Sequence, residues 1–340
     1  MGGVGMSQTK LSEILSQINN ITIGPPPWSD EALTAAYFRN FTRTREIIRT
    51  HPGYVFYRDL EDLGRGLELL HEAIDALKTA CHLFRADAVT EAFWWRANKA
   101  EFECRVRAIR LALFAAVCAS QALVDTCHAT IKHVAIADYK DHVKDSFTTW
   151  GVSRFIHGLR IYISHRRVFE AQWEVRRPSE GPEEVRFLLQ REDLLAYDEW
   201  PSQARVYIEQ NPNGVDPEEL FELYRTRVDA FHEWYHEAFA QAAQPALSEY
   251  CRYLGLLDRL GSRSTWNLLV EIGFKQGLDP YSYLTQYLTP QELSEVSQLP
   301  ERSVEQIDRI IKMVDDRGAC DEALRKKIHL LFKVPETDGM

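Results

Sequence analysis

The chain has 340 residues, 45% of them hydrophobic, and its 8 Trp, 14 Tyr and 16 Phe residues exclude an intrinsically disordered protein. A formal net charge of −10 at pH 7 argues against a general nucleic-acid coat protein. The six cysteines form no C-x-x-C pair, which indicates a reduced, cytoplasmic protein with buried thiols. Because no apolar run reaches about 18 residues, no membrane span is expected.

The N-terminal residues predict a helical arm. Periodic apolar residues over 7–19 predict a short helix, which the prolines at 25–27 end. Ser29 and the two acidic residues after it predict the cap and first turn of a helix that reaches about Arg49. Residues 1–53 are therefore assigned to an N-terminal helical arm.

Long helices are predicted between Leu67 and Trp150, where the chain has neither Gly nor Pro. Two apolar stripes with alternating spacings of three and four run from Leu60 to Phe84 and from Phe102 to Cys127, which is typical of a helical bundle. The second helix is predicted to be covered all round at its middle, because it has further apolar residues on the other side. These are Leu111, Phe114, Val117, Cys118 and Val124. Shorter helices near 139–149 and at 150–166 complete four.

The pattern then changes to alternation. Apolar and polar residues alternate from Phe169 to Arg176, and a turn-rich segment separates them from Val185–Leu189, which predicts a β-hairpin near 168–190. Asp216 and Pro217 begin a long helix to about Gln244. Residues 54–250 are therefore predicted to form a bundle with the hairpin inserted, and residues 251–340 a C-terminal helical region.

The segment 155–165 organises the bundle. Its apolar residues fall on one arc about 120° wide, which predicts a helix docked on a core. They are Phe155, Ile156, Leu159, Tyr162 and Ile163. Arg160 and His165 flank the arc about 140° apart, so they diverge unless the helix ends or bends near His165 or a second copy of the chain meets it. Ile161 lies on the polar face with His157 and Ser164, which suggests that this face meets something other than bulk water.

The stretch from Leu159 to Arg166 resembles the "LRNYxxHR" segment of HEPN-domain proteins (higher eukaryotes and prokaryotes nucleotide-binding), whose signature is Arg, four to six residues, then His. Residues 107–128 are similar to the long helix before that motif in one group of these proteins. The resemblance covers roughly residues 60–240 and departs at Ile161, where active members usually carry Asn. It implies a mainly α fold: a HEPN-like antiparallel helical bundle, here with an inserted β-hairpin and additional C-terminal helices.

The resemblance also implies a function. HEPN ribonucleases cleave RNA without metal or cofactor, by attack of the ribose 2′-OH on the adjacent phosphorus. Arg160 would hold the phosphate and His165 would move the proton, at the groove of a homodimer. The supporting assignments are Arg154, Arg166 and Arg167 for RNA binding, and Ser164, Tyr162 and Asp125 around the site. The biological role implied is that of a toxin or antiphage-defence protein, with an antitoxin or activating protein as a further partner.

Two alternatives remain open. Ile161 favours a non-catalytic HEPN-like scaffold that binds a nucleotide, an RNA or a protein partner. His232, Glu233 and His236 form a literal H-E-x-x-H, in which two histidines on one helix face hold zinc and the glutamate activates a water. The inward residues of that helix leave both histidines on a solvated flank, and no H-x-x-G-x-x-H follows, so the motif is interpreted as a chance match.

Overall fold

The computed structural model describes residues 23–165, 172–176 and 184–335, and every structural statement below concerns these residues. The described chain is mainly α-helical, as the sequence predicts. It divides into two compact units, one formed by Val55–Gln244 and the other by the described parts of Met1–Tyr54 and Pro245–Met340. The described N-terminal helices therefore belong to one unit with the C-terminal helices, whereas the sequence pattern predicts a separate N-terminal arm.

The elements follow one another with short connections. In chain order they are α1 (Asp30–Arg39), α2 (Phe41–Ile48), α3 (Gly53–Ala88), α4 (Lys99–Thr130), α5 (Tyr139–Val143), α6 (Gly151–His165), β1 (Gln172–Arg176), β2 (Glu184–Leu188), α7 (Arg191–Leu195), α8 (Ser202–Gln210), α9 (Pro217–Ala242), α10 (Ala246–Gln276), α11 (Pro290–Ser297), α12 (Val304–Val314) and α13 (Glu322–Leu331). Short 3₁₀ turns precede α4 and follow α10, and a single π turn lies between α5 and α6.

The predicted apolar stripes form the core of the 55–244 unit. Leu70 and Leu77 of α3 are fully buried, as are Ile109 and Leu113 of α4, and all four belong to one cluster. The apolar arc of α6 packs into the same cluster through Phe155, which has no exposed surface. The three-four spacing therefore identified the inward sides of these helices, because it follows the turn of an α-helix.

The other side of α4 contradicts its prediction. Val117 is buried, but Leu111 is 71% exposed, Phe114 45% and Val124 37%, and Cys118 is also exposed. The expectation that the middle of α4 is covered all round is therefore wrong for the single chain, because the described residues bury only one side of the helix. By length and composition alone the stretch Arg96–Thr130 could cross a membrane, but 44% of its apolar window is buried inside the protein.

A two-stranded antiparallel sheet closes one side of the bundle. β1 and β2 pair with Trp173 opposite Phe187, in the region where the sequence predicts a hairpin. The Trp173 ring lies edge-on to Phe102 of α4, with ring centroids 4.6 Å apart. Beyond β2, Leu189 pairs with Val215 through two backbone hydrogen bonds of 2.9 Å. These contacts attach the sheet to the helical core.

Helix α6 is held by a close contact with the start of α8. A Cβ built at Gly158 would lie 2.6 Å from the ring of Trp200, so a side chain at this position would collide with the indole. The indole is itself fixed, since its Nε1 donates a 2.7 Å hydrogen bond to the carbonyl of Leu194. Gly158 therefore lets α6 approach Trp200, and this contact sets the position of the polar face of α6.

The second unit has its own cores. Trp28, before α1, donates its backbone N–H to the hydroxyl of Tyr253 on α10 over 2.9 Å. Nearer the C-terminus, α11 to α13 and the end of α10 surround a cluster that includes Ile307 and Leu324. The buried amide of Gln306 donates a 3.1 Å hydrogen bond to the carbonyl of Val296. Thus α11 and α12 are joined by a polar contact as well as by apolar packing.

Candidate functional site

A cleft of about 250 Å³ opens within the 55–244 unit, between the C-terminal half of α4, the polar face of α6 and the middle of α9. Residues of α5 and the π turn complete its wall. Its lining joins apolar side chains with basic and neutral polar ones. The apolar ones include Leu123, Val124, Val143, Phe147 and Phe231, and the polar ones include Gln121, His128, Ser153, Arg154, His157, Arg160 and His232.

Three polar residues of α6 share one side of the helix. Arg154, His157 and Arg160 follow one another at intervals of three, so each is turned by only about 60° from the last and rises by about 4.5 Å. All three line the cleft. The opposite side of α6 is buried in the core, which fixes the direction in which this polar face points. The helix therefore places two guanidinium groups on either side of an imidazole.

The two arginines are held differently. The Nε of Arg154 donates a 3.1 Å hydrogen bond to the carbonyl of Thr148 in the π turn. Arg160 is exposed and forms no ion pair with another described residue. One guanidinium is thus tied to the cleft wall while the other remains available to an anionic ligand.

His157 is oriented by a glutamine of α4. The Nε2 of Gln121 donates a 2.8 Å hydrogen bond to Oδ1 of Asp125, which leaves Gln121 Oε1 facing Nδ1 of His157 at 3.2 Å. Because an amide oxygen only accepts, Nδ1 carries the hydrogen in this contact, and Nε2 of the neutral ring has a free lone pair. The chain Asp125, Gln121, His157 therefore selects the tautomer that can accept a proton at Nε2.

The surroundings of His157 also favour its neutral form. Partial burial lowers the pKa of its imidazole, and the positive charges of Arg154 and Arg160 lower it further. Asp125 acts in the opposite direction without overcoming them. Near pH 7 the ring is consequently uncharged and able to take up a proton, which is the state that a general base requires.

The deep end of the cleft contains a second, different histidine. His232 of α9 is buried, and its Nε2 lies 3.8 Å from Sγ of Cys127 on α4. Burial lowers the pKa of His232 to about 4 and raises the pKa of Cys127 to about 12. Both groups are therefore neutral near pH 7, so this pair lacks the thiolate and imidazolium of a cysteine nucleophile. Its contribution is to the packing of α4 against α9.

The structure places the other predicted residues at separate points. Arg154 and Arg160 lie in the cleft, as described above. Asp125 is exposed one turn beyond Gln121 and accepts its amide hydrogen. Tyr162 is buried and stacks on Trp200, with ring centroids 5.7 Å apart, which agrees with its interpretation as a core residue.

His165, the second residue of the predicted catalytic pair, is the last described residue of α6. Helix α6 continues through His165, so positions 160 and 165 differ by about 140° around its axis, and regular helix does not bring them to one face. The side chains of Ser164 and His165, and the whole of Arg166 and Arg167, fall outside the described residues. Their predicted roles remain predictions.

The H-E-x-x-H segment differs from its expected placement. Glu233 and His236 are exposed, but His232 is buried against Cys127, so the expectation of two histidines on a solvated flank is wrong for His232. The side of α9 that carries His232 packs on α4, because the apolar side of this helix is wider than the sequence pattern indicates. Among the described residues no group of three or more His, Cys, Asp or Glu side chains could hold a metal ion.

Two residues of the cleft are not among those that the sequence predicts for the site. His157 is placed only on the polar face of α6, and Gln121 is not a candidate. The three-residue spacing of Arg154, His157 and Arg160 was a usable signal, because it places one imidazole between two cations on a helix. No sequence pattern indicates that Gln121 of α4 would face His157.

Comparisons with protein-family models, with curated proteins and with solved structures found no match to this chain. The HEPN resemblance consequently rests on the residues quoted from α4 and from the motif segment. The function of the cleft must be inferred from its own chemistry.

Proposed function

We propose that this chain is a metal-independent endoribonuclease that acts at the cleft between α4, α6 and α9. The observation that supports this function is the neutral, oriented imidazole of His157 between the guanidinium groups of Arg154 and Arg160. In the reaction, the ribose 2′-oxygen loses its proton and bonds to the adjacent phosphorus. The bond from phosphorus to the 5′-oxygen breaks, and that oxygen takes up a proton. The products are a 2′,3′-cyclic phosphate and a 5′-hydroxyl.

The arginines supply the positive charge that this reaction needs. A phosphodiester gains negative charge on its non-bridging oxygens as the 2′-oxygen attacks, and fixed guanidinium groups stabilise that charge. Arg154 and Arg160 lie about 9 Å apart along the axis of α6, with His157 midway between them. That separation suits contacts with one phosphate and its neighbour along an RNA strand.

Proton transfer is assigned to His157 and to water. His157 Nε2 accepts the proton of the 2′-hydroxyl, since its pKa is lowered and its Nδ1 is already engaged with Gln121. His165, which the HEPN resemblance implies as the catalytic histidine, lies eight residues and about 12 Å further along α6, so the leaving 5′-oxygen takes its proton from water in this proposal. The apolar wall formed by Leu123, Val143 and Phe231 offers a surface for a nucleobase.

A second function is favoured by Ile161. This residue is partly buried at the position where active HEPN proteins usually carry Asn. In that alternative the same cleft binds a nucleotide or an RNA through Arg154 and Arg160 without cutting it. A toxin or antiphage-defence role, with an antitoxin or activating protein, is compatible with the ribonuclease and rests on the resemblance alone.

The decisive experiment incubates total RNA with the purified full chain in EDTA and identifies the product ends chemically. Arg160→Ala and His157→Asn test the residues of the cleft, and His165→Asn tests the histidine that the HEPN resemblance implies. Arg96→Ala is the matched control because Arg96 is exposed outside the cleft. EDTA-resistant cleavage to cyclic phosphates that is lost in the Arg160 variant and kept in the control supports the ribonuclease.

Three other outcomes are informative. Cleavage that survives replacement of both Arg154 and Arg160 by Ala would contradict the assignment of the cleft. Binding of a labelled oligoribonucleotide without cleavage, lost in the same double variant, would favour the binding protein. Neither cleavage nor binding by the parent chain would overturn both proposals.

A further inference from the structure

The exposed side of α4 carries large apolar residues that the described chain leaves uncovered. Leu111 and Phe114 are the most exposed of them, at 71% and 45%. Cys118, one turn after Phe114, lies on the same side and is also exposed. Isolated exposed apolar residues are common on soluble proteins, but a run of them along one helix is typical of an interaction surface.

Two opposite charges lie at the ends of this run. Arg107 and Asp125 are both exposed, and the 18 residues between them correspond to five full turns, so they lie on the same side of α4. They are about 27 Å apart along the axis, with the apolar run between them. No ion pair within the described residues involves either of them. The surface thus has a positive end, an apolar middle and a negative end.

This arrangement is complementary to itself. Residue 116 is the midpoint between Arg107 and Asp125, and also between Phe114 and Cys118. When a second α4 runs antiparallel about a two-fold axis that crosses the exposed side of α4 at the level of residue 116, each Arg107 meets the Asp125 of the other copy, and each Phe114 meets the other Cys118. Such an interface uses the same surface patch twice, as two-fold dimers do.

We propose that this surface is the interface of a homodimer, in which the exposed side of α4 packs antiparallel against that of a second copy, around a two-fold axis at the level of residue 116 along the helix. The partner is a second copy of this chain because the charges at the two ends match only when the surface meets itself in reverse. Ala108 and Ala122, both exposed beside the run, allow the helix backbones to approach closely.

The interface would reach each cleft. Asp125 accepts the hydrogen bond of Gln121, which in turn contacts His157. Arg107 of the partner subunit, placed on Asp125, would hold that carboxylate and so fix the first member of the chain that orients His157. The second copy therefore contributes a residue to the support of the site, although the dimer itself is independent of which reaction the cleft performs.

Oligomeric state is the direct test. We expect sedimentation velocity of the full chain to show a reversible dimer, and Phe114→Glu to weaken it by more than about tenfold in the dissociation constant. Leu223→Glu is the matched control, because Leu223 is exposed on α9 and lies outside this surface. A monomer at every concentration, or a dimer that Phe114→Glu does not weaken, would overturn the proposal.

Charge reversal tests the orientation. Arg107→Glu alone and Asp125→Arg alone each place like charges together at both ends of the interface, so each should weaken the dimer. The double variant restores opposite charges and should recover the dimer. If the double variant dissociates more than either single variant, the antiparallel pairing of these two residues is wrong. Far-UV circular dichroism identifies any variant that fails to fold.

A disulfide tests the register. With Cys104 and Cys251 changed to Ser to remove other exposed thiols, Phe114→Cys should form an oxidised dimer with native Cys118 of the partner subunit, seen on a non-reducing gel. Ala129→Cys in the same background is the control, because Ala129 is exposed on α4 but lies opposite position 103 in this register. Equal cross-linking of both variants would overturn the register. Binding of the chain to lipid vesicles as a monomer through Phe114 would overturn the choice of partner.

Discussion

The imidazole Nδ1 of His157 lies 3.2 Å from the side-chain oxygen of Gln121, on the facing helix of the bundle. This contact fixes a tautomer whose other nitrogen carries a free lone pair, while Arg154 and Arg160 on the same side of α6 disfavour the charged ring. Position, tautomer and protonation state of one histidine are thus set by four neighbouring side chains, counting Asp125. A residue arranged in this way is more than a polar surface group, because both arginines favour its neutral form, Gln121 fixes its tautomer, and the charge of Asp125 does not overcome the arginines.

The pKa of His157 should respond to its neighbours in predictable directions. We expect NMR titration to place this pKa below the ordinary value of about 6.5. Arg154→Ala and Arg160→Ala should each raise it, because each removes a positive charge that disfavours the imidazolium. Asp125→Asn should lower it further, because it removes the one nearby charge that favours protonation.

The same titration has a control variant. Arg96→Ala should leave the pKa of His157 unchanged, because Arg96 is exposed outside the cleft and is not among the charges that act on this ring. Binding of inorganic phosphate or a nucleotide between the arginines should raise the pKa of His157, since it places negative charge beside the ring. If the pKa of His157 changes in neither arginine variant, the ring does not lie between the two arginines.

The apolar pattern of α4 predicted one side of this helix correctly and the other side wrongly. The stripe that contains Ile109 and Leu113 gave the inward side of α4 correctly, because burial must follow the helical period. The opposite side, with Leu111 and Phe114, was predicted to be buried but is exposed in the single chain. Apolar side chains indicate that a helix surface is more stable when it is buried. They do not indicate whether the same chain or a second one buries it.

The sequence also predicted only part of the candidate site. Arg154 and Arg160 were both singled out from the sequence, and both line the cleft. The histidine between them is not part of the motif that resembles HEPN proteins, which points instead to His165 further along the helix. The sequence does not predict the role of Gln121, because that role depends on how α4 and α6 pack against each other. The packing angle and distance cannot be derived from the sequence of either helix alone.

Gly158→Ala should destabilise the 55–244 unit. The added methyl would lie 2.6 Å from the Trp200 ring, and overpacking of this kind costs about 1–3 kcal/mol. Ala is the better helix former by up to about 1 kcal/mol, so the clash has to outweigh that gain. Urea unfolding followed by circular dichroism measures the net change.

Gly64→Ala is the matched substitution, because Gly64 lies in the interior of α3 with nothing within 4 Å of an added Cβ. This variant should be neutral or stabilised by up to about 1 kcal/mol. If Gly158→Ala is stabilised as much as Gly64→Ala, the close approach of α6 to Trp200 is not present in solution.

Thr130→Val should measure how much a buried hydrogen bond between α4 and α9 contributes to the free energy of unfolding. The hydroxyl oxygens of Thr130 and Tyr235 lie 2.8 Å apart, and both residues are buried. Valine keeps the shape but leaves the tyrosine hydroxyl without this partner, which costs about 1–3 kcal/mol. Tyr235→Phe in the Thr130→Val background should cost little more, because the unpaired hydroxyl is then gone. Additive losses from the two single substitutions would argue against the hydrogen bond.

Acid should destabilise the fold through His232. Its pKa is about 4 in the folded chain because burial disfavours the charged ring, whereas in the unfolded chain it is near 6.5. Between these two values the unfolded state binds more protons, so stability must fall as pH decreases from about 6.5 towards 4. The full difference corresponds to an order of about 3 kcal/mol.

His232→Gln removes this titrating group while keeping a polar side chain beside Cys127. We expect the variant to have a lower free energy of unfolding at pH 7.5 but a flatter dependence on pH between 6.5 and 4, measured by urea unfolding at each pH. Val206→Ala is the control, because Val206 is exposed on α8 and carries no titrating group, so its replacement should leave the slope unchanged. Parallel pH profiles for the parent and His232→Gln would mean that His232 is solvated and that α9 packs on α4 differently from the arrangement described above.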